Sequence, residues 1–166
     1  MGGLIFQEIR ELRALAYSAR GVYYEGVRAG APGVFLAYLA TQGDKTDDAL
    51  DVLIDMIKDL PERPARMGSL RASLLLTEGA ARPGFRELQE TVAGWRLLGF
   101  HGDPRRVLLP AYEGLEFGDL RRFHAAQIAG RPLTIMIVGD PRRFDVDALA
   151  RFGPVERVAS RDLFAP

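Results

Sequence analysis

Length, composition and charge already exclude several classes of protein. The chain has 166 residues, which is the length of one ordinary domain. Its 22 Lys and Arg residues balance 22 Asp and Glu residues, and a net charge of zero argues against a strongly basic nucleic-acid-binding protein. It has no cysteine, which excludes a disulfide scaffold, a cysteine-ligated zinc finger and a thiol nucleophile.

The sequence shows neither a signal peptide nor a membrane span. The apolar start, residues 1–6, is too short for a secretory signal, and apolar runs such as residues 133–138 are far shorter than the ~20 residues that cross a bilayer. We therefore expect a soluble protein with no membrane span.

The first elements predicted are a helix and a hairpin. Residues 3–14 place apolar side chains on one helical face, which predicts a helix. Residues 16–25 and 34–40 are rich in β-branched and aromatic residues, which predicts two strands. Gly30, Pro32 and Gly33 lie between them, so we expect an antiparallel hairpin.

Four helices are predicted next. Apolar residues recur at helical spacing over residues 45–60, 65–77, 84–98 and 116–128. The first of these is the clearest, because Asp44 can cap it and two prolines follow it.

The last third of the chain predicts a strand, a helix and a strand. Residues 133–138 form a wholly apolar, largely β-branched run bounded by Pro132 and Gly139, which is typical of a buried central strand. A short helix over 145–152 and a final strand over 155–158 follow. The order of elements predicts an α+β fold, with a mostly antiparallel sheet and helices packed on one face.

The usual signs of a catalytic centre are absent. His101 and His124 lie far apart and lack partners at metal-ligand spacing, so each is expected to be a structural or surface histidine. Asp47, Asp51 and Asp55 recur at four-residue spacing, as on a solvated helical face. The sequence Gly-Asp-Pro-Arg-Arg occurs at 102–106 and again at 139–143, which predicts two turns with solvated arginines or, alternatively, a shared site for an anion.

The most informative segment is residues 3–18, Gly-Leu-Ile-Phe-Gln-Glu-Ile-Arg-Glu-Leu-Arg-Ala-Leu-Ala-Tyr-Ser. It resembles a signature of the pitrilysin and mitochondrial processing peptidase family of zinc peptidases, roughly Leu-Phe-x-Glu-x-Arg-Glu-x-Arg-Gly-Leu-Ala-Tyr-Ser. Ala14 stands where that pattern has glycine. The later order of elements agrees with the family, so the resemblance covers nearly the whole chain.

The resemblance implies a role for two residues. In this family two homologous α+β domains close like a clamshell on an extended peptide, and the second domain, which usually lacks zinc, holds the peptide backbone with an Arg and a Tyr seven residues apart. Arg10 and Tyr17 match that spacing, so they are the predicted substrate-binding residues. The structural alternative is that Arg10 forms an ion pair with Glu11 or Glu8 and that Tyr17 packs on the sheet.

The resemblance also implies what this chain lacks. The zinc-binding His-x-x-Glu-His motif is absent, so we expect no metal site, no catalytic residue and no activity of the chain alone. Zinc is expected only in a homologous partner domain or chain. By comparison with the family domain, residues 1–166 form a single, N-terminally truncated, non-catalytic domain. Its open sheet edge would then be covered by a partner chain, by a second copy, or by sequence that lies outside these 166 residues.

Three functions remain open at this stage. The first is the peptide-holding half of a zinc peptidase. The second is an inactive structural or assembly module of the same fold. The third is an unrelated α+β domain that binds an anion at the two Gly-Asp-Pro-Arg-Arg turns.

Overall fold

The computed structural model describes residue 3 and residues 5–163, and within them the chain is α+β. A short π-helix over Phe6–Glu11 comes first. The strands and α-helices that follow are β1 (Ser18–Tyr24), β2 (Val34–Ala40), α1 (Thr46–Lys58), α2 (Met67–Ala80), α3 (Leu88–Leu97), α4 (Arg105–Glu113), α5 (Phe117–Gln127) and α6 (Ser160–Leu163). Short 3-10 turns cover Gly43–Lys45, Pro64–Arg66, Phe85–Glu87, Pro141–Arg143 and Ala148–Phe152.

The predicted antiparallel hairpin is confirmed. Strands β1 and β2 pair with each other across the Gly/Pro segment. Gly30 has a φ of +76°, which glycine adopts without steric cost. At Gly33 a Cβ atom would lie 2.6 Å from the carbonyl oxygen of Tyr24, so a residue with a side chain would force the strands apart there.

Helices α1, α2, α3 and α5 form where they are predicted, with ends shifted by a few residues. In α1, Asp47 and Asp48 occupy the first turn, where carboxylates favour the positive end of the helix dipole. Its buried stripe follows the helical period and consists of Ala49, Leu50, Leu53, Ile54 and Ile57.

The first predicted helix, residues 3–14, is shorter and wider than expected. It is a π-helix that ends at Glu11, and the predicted position of Leu4 lies outside the described residues. Ile5 and Ile9 are nonetheless buried, so the apolar face that predicted the helix is the face that packs.

Helix α4 was not predicted, and its sequence contains a proline. Pro110 lies inside the helix, where it has no N–H to donate to the carbonyl four residues earlier. Pro104 is the N-cap residue, and its φ of −62° already matches the helix, so a proline at this end is compatible with a helix start. That second signal could have identified the helix.

The prediction of a larger sheet is wrong for the described residues. Residues 133–138 have no regular secondary structure, and their backbone makes no hydrogen bond to the backbone of another described residue. All six are exposed. Residues 155–158 likewise form no strand, and the predicted helix 145–152 is a 3-10 turn over Ala148–Phe152. The mostly antiparallel sheet therefore has two strands, because the apolar run found no strand to pair with.

The chain divides into two compact units, each assembled from separate segments. The first comprises residues 1–20, 39–54 and 133–166, and the second comprises residues 21–38 and 55–132. The core of the first unit centres on Ile9, which is fully buried. The other buried apolar residues of this unit are Ile5, Ala16, Ala19, Ala49, Leu50, Leu53, Ile54 and Leu149.

The second unit is built from helices and the tip of the hairpin. Helix α2 packs against α4. The ring of Tyr23 on β1 meets the ring of Phe123 on α5 edge to face, with centroids 4.9 Å apart. His124 of α5 is buried, and its Nε2 lies 2.9 Å from the carbonyl oxygen of Ile57.

Candidate functional site

The two residues predicted from the family resemblance lie side by side. The guanidinium carbon of Arg10 lies 5.8 Å from the ring centroid of Tyr17 and 4.7 Å from that of Phe6. Both distances are within cation–π range, so the aromatic rings hold the charged group in one place. The ring atoms of Tyr17 face solvent, since the residue is 84% exposed.

Arg10 and Tyr17 line an open cavity of about 490 Å³ within the first unit. Its walls come from the π-helix, from the loop before β1, from the end of β2 and from the turn before α1. The lining residues are Arg10, Ala14, Leu15, Ala16, Tyr17, Ala40, Thr41, Gln42 and Lys45.

Hydrogen bonds fix the loop that carries Tyr17. The N–H of Leu15 donates to the carbonyl of Ile9 at 2.9 Å, which ties the loop to the π-helix. On the other side, the N–H of Tyr17 donates to the carbonyl of Ala40 at 2.7 Å, and the hydroxyl of Thr41 donates to the carbonyl of Leu15 at 2.5 Å. Because both sides are bonded, the loop is positioned by the π-helix and by the end of β2 together.

Ala14 turns the chain between Arg10 and Tyr17. Its φ is +51°, in the left-handed region that favours glycine. The N–H of Ala14 donates to the carbonyl of Arg10 at 3.1 Å, so the turn begins directly at the predicted arginine. The residue that stands in place of the glycine of the family pattern thus adopts a glycine-like conformation.

The structural alternative for these residues is met in part. Arg10 Nε lies 3.9 Å from Glu11 Oε1, which is a long ion pair between two half-exposed side chains. Such a pair contributes little to stability. Tyr17 does not pack on the sheet, because its side chain is exposed.

Three cavity residues escaped prediction as site residues: Thr41, Gln42 and Lys45. They lie more than 20 residues after the motif, and the pairing of β1 with β2 brings them to it. Lys45 Nζ lies 3.4 Å from the carbonyl oxygen of Ala14. Lys45 and Lys58 are the only lysines of the chain, which is a signal that could have drawn attention to Lys45.

The other candidate groups have structural partners. Asp47 and Asp51 both face Arg151, at 3.4 Å and 3.1 Å, as expected of a solvated helical face rather than an acid/base pair. His124 bonds the carbonyl of Ile57, and His101 lies exposed in a turn. Among the described residues, no group of three or more His, Asp or Glu side chains could hold a metal ion.

The two Gly-Asp-Pro-Arg-Arg turns have the same internal hydrogen bonds. Asp103 accepts from the backbone N–H and from Nε of Arg105, and Asp140 accepts from the same two groups of Arg142. The guanidinium beside each carboxylate lowers the pKa of Asp103 to about 2 and also lowers the pKa of Asp140. The first arginine of each copy is therefore occupied by its own aspartate, which weighs against a site for an external anion.

Comparison with known proteins adds no relatives. The chain matches no protein-family model, no curated protein and no solved structure at a significant level. In the part of the chain that the structure describes, no helix is long and apolar enough to cross a membrane.

Proposed function

We propose that the chain is the non-catalytic half of a clamshell zinc peptidase of the pitrilysin and processing peptidase type, and that it holds an extended peptide for a zinc-bearing partner domain. The observation that carries this proposal is the meeting of Arg10 and Tyr17 at one cavity. The motif resemblance names these two residues, and the geometry is what a shared binding role requires.

The chemistry of the pair suits a peptide backbone. The guanidinium of Arg10 donates charge-assisted hydrogen bonds to peptide carbonyls, and the hydroxyl of Tyr17 donates a further one. Phe6 supports Arg10 from one side, so the guanidinium loses less freedom when a peptide binds. The exposed ring of Tyr17 offers a flat apolar surface beside these donors.

The hydrolytic chemistry belongs to the partner in this proposal. The described residues offer no donor set for zinc, and the whole chain has two histidines and no cysteine. We expect elemental analysis of the purified chain to find no stoichiometric zinc. One tightly bound zinc per chain would contradict the division of labour between the two halves.

Binding of a labelled peptide tests the proposal directly. Fluorescence anisotropy of a fluorescein-labelled, unstructured decapeptide should rise on titration with the chain. Arg10→Ala should weaken binding about tenfold or more, since a charged hydrogen bond is worth about 1.5–3 kcal/mol. Tyr17→Phe should weaken it less, because only the hydroxyl is removed.

Matched controls separate this site from the rest of the surface. Arg157 is an exposed arginine and Tyr24 an exposed tyrosine, and neither lines the cavity. Arg157→Ala and Tyr24→Phe should leave binding unchanged. Unchanged affinity in both Arg10→Ala and Tyr17→Phe would rule out the peptide-holding role. When a zinc-bearing half of the same peptidase type is added, cleavage should follow the same order of variants.

An assembly module is the second candidate, and exposed apolar surface favours it. The run 133–138 is exposed throughout, and Val34, Leu36 and Tyr38 are exposed on one face of β2. Under this candidate the chain binds a partner chain or a second copy. Sedimentation velocity would then show a complex, while peptide anisotropy would stay flat and the Arg10 and Tyr17 variants would assemble normally.

A further inference from the structure

Among the described residues that line the cavity at Arg10 and Tyr17, two side chains are positively charged and none is negatively charged. Arg10 and Lys45 are the charged side chains among its nine lining residues, and the remaining seven are neutral. Glu11 lies outside the lining, 3.9 Å from Arg10. A cavity with two cations and no anion in its wall attracts negative charge.

Lys45 is held at the wall but is not neutralised there. Its ammonium group lies 3.4 Å from the carbonyl oxygen of Ala14, which is longer than the usual range of about 2.7–3.2 Å, so the contact is weak. That partner is a neutral carbonyl, so the full positive charge stays available to a ligand.

The start of α1 places charges of both signs near Lys45. Lys45 ends the 3-10 turn that leads directly into this 13-residue helix. The N-terminal end of a helix carries partial positive charge. Three carboxylates oppose it: Asp44 precedes Lys45, and Asp47 and Asp48 occupy the first turn, where Arg151 pairs with Asp47.

From this arrangement we infer that Lys45 is a specificity-determining residue, and that the cavity selects peptides carrying a carboxylate next to the segment held by Arg10 and Tyr17. The inference rests on the proposed peptide-holding function and names its substrate class. The carboxylate can be a peptide C-terminus or the side chain of Asp or Glu. Lys45 supplies a point charge to it, while Arg10 continues to hold the backbone.

Three labelled decapeptides of otherwise identical sequence test the inference. One is neutral, with Gln at the penultimate position and an amidated C-terminus. The second has Glu in place of Gln, and the third has a free C-terminal acid. We expect one of the acidic peptides to bind about fivefold to tenfold more tightly than the neutral one at low salt, and the preference to fall as salt rises. The arm that binds more tightly identifies the source of the carboxylate.

The two lysines of the chain provide a matched pair of variants. Lys45→Met removes the charge but keeps an apolar stem, and it should reduce the preference to about one. Lys58→Met removes the only other lysine charge, at the exposed end of α1, and should leave the preference intact. Lys45→Arg keeps the charge and should retain most of the preference, which protects the test against a misfolded Lys45→Met variant.

Each outcome decides a separate point. If the wild-type chain binds all three peptides equally while Arg10→Ala weakens all of them, carboxylate selection is overturned and the peptide-holding function stands. A preference that survives in Lys45→Met but is lost in Lys58→Met overturns the assignment to Lys45. If no peptide binds at any salt concentration, both the selection and the proposed function are overturned.

Discussion

Ala14 is the residue on which the shape of the candidate site depends most directly. It is the one non-glycine residue with a positive φ in the described ranges 3 and 5–163, and it makes the turn that brings Tyr17 back toward Arg10. An L-residue in this left-handed conformation costs about 1–2 kcal/mol relative to an ordinary one. The chain accepts this cost at the point where the predicted binding pair is assembled.

The substitution Ala14→Gly should therefore stabilise the protein. We expect the free energy of unfolding to rise by about 1 kcal/mol, because relief of the left-handed alanine exceeds the added entropy of the unfolded chain. Urea denaturation followed by circular dichroism measures it. Ala81→Gly is the control: Ala81 has a φ of −58°, so the same change should lower stability. A lower unfolding midpoint in Ala14→Gly would show that the turn is not strained.

Asp103 makes folding stability depend on pH. Its pKa falls from 3.8 to about 2, chiefly because the side chain of Arg105 donates hydrogen bonds to it. A depressed carboxyl pKa contributes stability that is fully present above about pH 4 and is lost as the pH falls toward 2. The difference in thermal midpoint between wild type and Asp103→Asn should shrink over that window. A difference that stays constant from pH 5 to pH 2 would contradict this account.

At the scale of elements, the buried contact of His124 joins two helices of the chain. Ile57 belongs to the last turn of α1, where carbonyls have no partner within the helix. The Nε2–H group of His124 on α5 donates to that carbonyl at 2.9 Å and is buried. The histidine therefore acts as a side-chain cap for α1 from a neighbouring helix.

Removal of this cap should destabilise the protein measurably. His124→Ala leaves the carbonyl of Ile57 unpaired at a buried position, which should cost about 1–3 kcal/mol in unfolding free energy. His124→Gln carries an amide N–H at similar reach and should recover part of the loss. Equal stability of the Ala and Gln variants would show that the packing of the ring matters and the hydrogen bond does not.

Local patterns predicted the elements that local forces determine. Apolar periodicity located α1, α2, α3 and α5, and turn residues located the hairpin, because each depends on neighbours within a few positions. The strand predicted over residues 133–138 did not form, because a strand needs a partner strand elsewhere in the chain and local sequence cannot show whether one is present. The same limit applies to the candidate site. The seven-residue spacing of Arg10 and Tyr17 can be read from the sequence, but the approach of Lys45 depends on the pairing of two strands.

For the molecule as a whole, we expect the exposed run 133–138 to be the segment that promotes aggregation in solution. Four of its six residues are β-branched, and it has no net charge and no proline, which are the marks of a segment that stacks into cross-β aggregates. Arg131 and Pro132 precede it, and Asp140 and Pro141 follow closely. Charges and prolines at both ends act as gatekeepers that limit such stacking.

A charge placed inside the run should therefore improve solubility without affecting folding. Met136 is 85% exposed, so Met136→Lys should change unfolding free energy by less than about 0.5 kcal/mol and should slow aggregation on concentration. Static light scattering against protein concentration measures the aggregation, and urea denaturation measures the unfolding free energy. Val27→Lys, at an isolated residue of similar exposure, should leave aggregation unchanged. Equal aggregation of wild type and Met136→Lys would show that the run is not its origin.

The repeated Gly-Asp-Pro-Arg-Arg turn has a consequence for which parts of the structure form from local sequence alone. One copy lies in each compact unit, one ahead of α4 and the other within a 3-10 turn, yet the aspartate and the first arginine make the same bonds in both. Because the neighbouring elements of the two copies differ, their shared hydrogen bonds follow from the shared sequence. We therefore expect a short synthetic peptide with this sequence to form the aspartate–arginine hydrogen bonds without any tertiary contact. The unfolded chain would then contain two locally formed turns before folding begins.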